Sequence, residues 1–199
     1  MFKNKKHIVL LIWITLLFSG TTYGEQVVLE LNANSNDVEG KVDIQFPAYE
    51  ALVSAGGSVI VSSDNYSVGD IHFIVKDEVF TPALTLGLGF KGVMGQVEIH
   101  DFDFDLGAVG FVLLGEYDLR QIYPKIPLCG YANISFSPSP LSFGETESYV
   151  WANLGLRAYI VKQAAAVIGY RYLETKFEDD PGEKKESFNA IFFGLQLTF

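Results

Sequence analysis

Counting back from the C-terminal Phe199, residues Leu197, Leu195, Phe193 and Ile191 share one face of an extended chain. Thr198, Gln196, Gly194, Phe192 and Ala190 share the other. A period of two is the geometry of a β-strand, whose successive side chains point to opposite faces. One face is wholly apolar and the other mostly small or polar, the pattern expected where the apolar side meets lipid and the other side a lumen. The alternation recurs. Leu84, Leu86, Leu88 and Phe90 oppose Ala83, Thr85, Gly87 and Gly89. Val150, Ala152, Leu154, Leu156, Ala158 and Ile160 oppose Trp151, Asn153, Gly155, Arg157 and Tyr159. Val42, Ile44 and Phe46 oppose Lys41, Asp43 and Gln45, and Ile71, Phe73 and Val75 oppose His72 and Lys76.

Ten such segments fall near 26–33, 39–47, 53–63, 67–76, 82–93, 103–117, 127–137, 147–160, 164–175 and 188–199. They predict an all-β chain, an antiparallel up-and-down transmembrane β-barrel of ten strands, with eight as the alternative. Segments of about ten residues suit the thin apolar band of such a barrel, and an even count puts both termini on one side. Residues 48–52, 77–81 and 161–163 are then short turns on that side and 94–102, 138–146 and 176–187 long loops on the other; 118–126, long for a turn, and the short link 64–66 break this rule in opposite senses. Tyr117, Tyr131, Trp151, Tyr170, Tyr172 and Phe199 lie near strand ends, where an aromatic girdle is expected. One segment conflicts with itself. Phe102, Phe104 and Leu106 alternate on even numbers, but Phe111 and Leu113 on odd ones. Either a bulge near Gly107 or Gly110 shifts the register, or the strand enters the bilayer only after Leu106.

The first residues change the picture of where this barrel resides. Lys3, Lys5 and Lys6 precede an apolar run from Ile8 to Phe18, too short to span a bilayer as a helix. Thr22 and Gly24 suit a signal-peptidase site, so residues 1–24 are expected as a cleavable signal peptide and 25–199 as the barrel domain. Removing the signal takes 3 of the 14 Lys+Arg and none of the 24 acids, leaving 11 against 24, a balance of −13. That excess argues against nucleic acid, which selects basic surfaces. Cys129 is the single cysteine, so no intramolecular disulfide forms.

Three pieces of the C-terminal half carry a resemblance. Gly115-Glu116-Tyr117, then Ala152-Asn153-Leu154-Gly155-Leu156-Arg157, then Gly169-Tyr170-Arg171-Tyr172-Leu173 resemble, in order and spacing, the YfaZ family of small Gram-negative outer-membrane proteins. The similarity runs from roughly residue 40 to the end. It implies a signal peptide, an outer-membrane barrel and no established activity. The final strand, closing on Phe199 with Phe193, Leu195 and Leu197 before it, also resembles the terminal signal that barrel-assembly machinery reads. The expected location is the cell outer membrane. The expected partners are outer-membrane lipid and lipopolysaccharide, the assembly machinery and periplasmic chaperones.

Glu116, Arg157 and Arg171 are the candidate site. By alternation all three point inward, since a charge facing lipid near the midplane costs about 2–4 kcal/mol. In a narrow lumen they are expected to pair as a polar plug or, alternatively, to form a constriction selecting a small solute. His100 and Asp101 near the rim support a second class, a protease-like or lipid-modifying outer-membrane enzyme. A third is a soluble periplasmic barrel binding a lipid-like ligand. No G-x-S-x-G, P-loop, HExxH or CxxC motif occurs, so no catalytic residue, metal or cofactor is expected, and the chain reads as a non-enzyme.

Overall fold

The computed structural model describes residues 25–199, apart from 64–65, 100–101 and 180–181. The expected signal peptide and the His100–Asp101 pair lie outside the described residues. The strands are β1 (Gln26–Ala33), β2 (Asp37–Ala48), β3 (Ala51–Ser62), β4 (Tyr66–Glu78), β5 (Leu84–Ile99), β6 (Phe102–Asp118), β7 (Leu128–Ser137), β8 (Ser142–Gly144), β9 (Thr146–Val161), β10 (Ala164–Asp179) and β11 (Gly182–Thr198). Ten of them are staves of one closed antiparallel barrel, which settles the count at ten rather than eight. Each stave pairs with its sequence neighbour, β7 pairing with β9, and β1 closes on β11 from Val28↔Thr198 to Ala33↔Phe193. The three-residue β8 is no stave. It continues the edge beyond β7 by pairing Ser142–Gly144 with Leu106–Ala108 of β6.

The alternating pattern decides which face each side chain takes. Leu31, Ile71, Leu88, Leu154 and Ile191 point outward and are 59%, 71%, 67%, 62% and 63% exposed. They belong to an apolar belt around the barrel. On β4 the belt runs between the exposed Ser67 and Asp77. Ten residues at strand spacing cover about 33 Å, which at a tilt near 45° is about 23 Å of height, matching the apolar band of a membrane-spanning barrel. Tyr117, Tyr170 and Phe199 lie on the outer surface, as a girdle requires. Tyr131 and Trp151 do not; both are buried inside. Their places in the alternation of β7 and β9, not their closeness to strand ends, fix that.

Two of the expected loops are strand instead. Residues 94–99 with 102, and 176–179 with 182–187, extend the β5–β6 and β10–β11 hairpins past the belt, with ladders reaching Ile99↔Phe102 and Asp179↔Gly182. Nor does β6 bulge. Its pairing with β5 is unbroken from Leu84↔Tyr117 to Ile99↔Phe102, and Phe104 and Leu106 point inward beside Ala108, Val112 and Leu114. The even-numbered apolar set was therefore on the inner face throughout. What changes at Leu106 is the outer solvent. Within the belt the strand turns Phe111 and Leu113 to lipid; beyond it, Asp105 and Gln96 face water.

Glycine lets strands approach closely at several inner positions, Gly89 among them. A Cβ built on Gly89 of β5 would lie 2.0 Å from the carbonyl oxygen of Phe73 in β4 and 2.8 Å from the Ile74 Cα, whereas at Gly40 nothing lies within 4 Å. Gly89→Ala is expected to destabilise the barrel by about 1–3 kcal/mol, and Gly40→Ala by less than about 0.5 kcal/mol. The temperature at which the folded band disappears in a heat-modifiable gel-mobility assay measures both.

Candidate functional site: a charged lumen beneath an apolar plug

The interior divides into two layers. At the end away from the termini lies an apolar plug. Ile60, Val97, Tyr149, Leu173 and Phe177 are 0% exposed and pack with Tyr66, Val68, Val93, Phe104, Leu106, Ala108 and Trp151. The Phe104 and Phe177 rings sit 5.0 Å apart, and Phe188 lies 4.8 Å from Tyr66. These residues come from β3, β4, β5, β6, β9, β10 and β11, so the plug is tied to most of the wall.

Below the plug the lumen is ionic. Arg157 on β9 donates from Nη1 to Glu116 Oε1 on β6 at 2.7 Å, and its Nε lies 3.9 Å from Glu30 Oε2 on β1. The Glu30 carboxylate accepts from Lys41 Nζ on β2 at 3.0 Å, and Lys41 lies 3.3 Å from Glu39 Oε2. That same oxygen accepts from Arg171 on β10, whose other amine donates to Asp37 Oδ1 at 2.9 Å. Tyr66 donates to the remaining Asp37 oxygen at 2.9 Å. One chain of alternating charges thus runs from Glu116 up to the plug. A second group lies beside it. His72 Nε2 meets Asp43 Oδ1 at 2.8 Å and Nδ1 meets Asp70 Oδ1 at 3.2 Å, while Lys91 Nζ lies 3.0 Å from Asp70 Oδ2. Ser54 donates to Asp43 at 2.7 Å and Ser58 to Asp70.

The structure brings two of the three expected lumen charges together. Glu116 and Arg157 pair directly. Arg171 stands apart from them, 2% exposed, gripped by Asp37 and Glu39 and joined to Arg157 indirectly, from Glu39 through Lys41 or Asn32 to Glu30. Alternation had marked Lys41 and Asp43 as inward, but Glu30, Asp37, Glu39, Asp70 and Lys91 went unnoticed. Their signal was the same: each is flanked by outward apolar or small residues, as Glu30 is by Leu29 and Leu31. On the outer surface Phe193, Leu195 and Leu197 are 62%, 58% and 44% exposed. The backbone of Phe199 exchanges hydrogen bonds with Val27 at 2.9 and 3.1 Å, so the last residue sits in the closing ladder.

The charged layer encloses a cavity of about 360 Å³ reaching the end that carries the termini. Its mouth is lined by Gln26, Gln45, Arg120, Tyr159, Lys162 and Thr198. Arg120 lies in the turn after β6, where the Asp118 carboxylate accepts from its Nε and Nη2 at 2.9 and 2.6 Å, and its guanidinium stacks 3.3 Å from the centre of the Tyr159 ring. Among the described residues no group of three His, Cys, Asp or Glu side chains is placed to hold a metal. Nor is His72 set up as a base for Ser54 or Ser58: both ring nitrogens face carboxylates, and both hydroxyls donate to those carboxylates.

No family model and no curated protein matches the chain. Among solved structures it is similar to Neisserial surface protein A at 9% identity and a TM-score of 0.39, covering 88% of this chain and 94% of that one. It is similar to the KdgM porin at 9% identity and a TM-score of 0.39, covering 87% and 99%. The outer-membrane-expressed OmpT of Vibrio cholerae matches at 14% identity and a TM-score of 0.40, over 82% of this chain and 56% of that one. At identities and TM-scores this low, the barrel architecture rests on the chain's own ladders and belt.

Because Glu116 neutralises a largely enclosed guanidinium, Glu116→Leu is expected to cost about 2 kcal/mol, with Glu30 at 3.9 Å as the residual partner. The heat-modifiable band should melt at a lower temperature. The double variant Glu116→Leu/Arg157→Leu should recover part of the loss, because it leaves no orphaned charge.

Proposed function

We propose that this chain is an integral outer-membrane barrel with its terminal end in the periplasm and its lumen held shut, serving the envelope as a structural element rather than a general pore. The plug carries this reading. Five side chains with no exposed surface fill the lumen beyond the ionic layer, in an apolar cluster that seven of the ten staves contribute to. A ten-stranded barrel is narrow enough for side chains to fill it. The apolar belt, the even strand count and the paired terminal strand support the location. So does the resemblance to the YfaZ family, together with a signal peptide cleaved after Gly24. In this orientation the extended β5–β6 and β10–β11 hairpins rise toward lipopolysaccharide. The exposed Phe193, Leu195, Leu197 and Phe199 present the final strand to the assembly machinery, after chaperones carry the chain across the periplasm.

In planar bilayers the refolded protein is expected to pass no steady current. Trp151→Ala/Phe177→Ala, which removes the two large side chains at the bottom and top of the plug, should introduce conductance. Steady open-pore current from the unmodified protein would replace the closed barrel with a narrow pore. Recovery of the protein from cells in the aqueous fraction without detergent would overturn the membrane location.

A further inference from the structure

The charges inside the cavity are not all paired at contact distance. Each lining carboxylate is met by a cation: Glu30 by Lys41, Glu39 by Arg171, Asp43 by His72, Asp70 by Lys91 and Glu116 by Arg157. Among the enclosed cations one has no such partner. Lys76 on β4 points inward, is 6% exposed, and has no carboxylate within 4.0 Å among the described residues. Its nearest acids, Asp43 and Glu116, act on it only at longer range and are held by His72 and Arg157. An enclosed ammonium with no carboxylate at contact distance keeps hydrogen-bonding capacity to offer, and low-dielectric walls focus its field into the space it faces. The exposed Lys162 stands at the mouth of the same cavity and adds positive charge along the approach.

The walls hold further unspent hydrogen-bonding capacity. Glu39 Oε1, Tyr131 Oη, Trp151 Nε1, Asn153 Oδ1 and Arg157 Nε belong to lining residues, and none of these atoms has a hydrogen-bond partner. Three of the five are donors, the kind of group an anion's oxygens accept from. A volume near 360 Å³ lies at the small end of ligand-binding cavities, about 300–1,000 Å³. The lining carboxylates each meet a cation at contact distance, whereas Lys76 meets no carboxylate there.

We propose that the cavity binds a small anionic solute, carrying a carboxylate or phosphate group, which enters from the terminal end and pairs with Lys76. Pairing with Lys76 needs neither the membrane location nor a conducting lumen, so it persists in detergent.

Equilibrium dialysis of the detergent-refolded protein against inorganic phosphate, succinate, glycerol and putrescine tests it. Phosphate or succinate should bind saturably, and glycerol and putrescine should not; which of the two anions binds more tightly names the group recognised. Lys76→Met should weaken anion binding about tenfold or more, and Lys76→Arg should retain it. Should Lys76→Met not refold, amine acetylation of the unmodified protein gives a second readout, since bound anion should slow modification of Lys76 and leave Lys125 unaffected. Anion binding no tighter than glycerol, equal binding by a folded Lys76→Met, no protection of Lys76, or chloride matching both anions at equal concentration (an adventitious ion only) would each overturn the proposal.

Discussion

Charge neutrality inside a closed wall is the constraint on which the rest depends. The staves face an apolar belt on one side and a narrow lumen on the other, so an inward charge has no bulk water to dilute it. It has to meet its opposite across the lumen. The chain from Glu116 through Arg157, Glu30, Lys41, Glu39 and Arg171 to Asp37 does this with residues of β6, β9, β1, β2 and β10. Arg171 and Asp37 are 134 residues apart in sequence and meet only because β1 closes on β11. The same demand fixes register. A one-residue slip of any stave would turn its charges to lipid, at about 2–4 kcal/mol each near the midplane, and its apolar residues into the lumen.

A second constraint sets where the charged layer ends. Past the belt the outer surface meets water, and the logic inverts: polar side chains go outward and apolar ones inward, as in a soluble barrel. β6 records the change within one unbroken ladder, with Phe111 and Leu113 outward in the belt and Phe104 and Leu106 inward above it. The plug is the core of that second, water-facing part of the barrel. It fills that part of the lumen as a consequence of being a core.

This inversion also explains what could be seen in the sequence. Strands inside the belt were legible almost to the residue, because lipid on one side and a polar lumen on the other give the strongest alternation. The predicted 26–33 segment coincides with β1. The hairpin ends at 94–102 and 176–187 looked like loops because their outward residues are charged and their inward ones, such as Phe177, stand in the opposite phase to the belt. The inward direction of Glu116, Arg157 and Arg171 was also legible, since alternation fixes a face. Their partners were not. Alternation states that Arg171 points into the lumen but not how high it sits relative to each inward acid, and that height depends on the register of ladders between strands far apart in the chain.

The two layers are mechanically one because Trp151 belongs to both. Its ring packs in the plug beside Tyr149, and it also lines the cavity. Lys91 Nζ lies 4.3 Å from its centre and the Arg171 guanidinium 5.6 Å. Cations over an indole face are attracted by its quadrupole, more strongly once desolvated. Each of these cations is fixed in turn, Lys91 by Asp70 and Arg171 by Asp37 and Glu39. Moving Trp151 aside would therefore uncover two charges as well as a hydrophobic core, and the cost of opening falls on both layers together. A path through this lumen cannot come from rotating one aromatic ring.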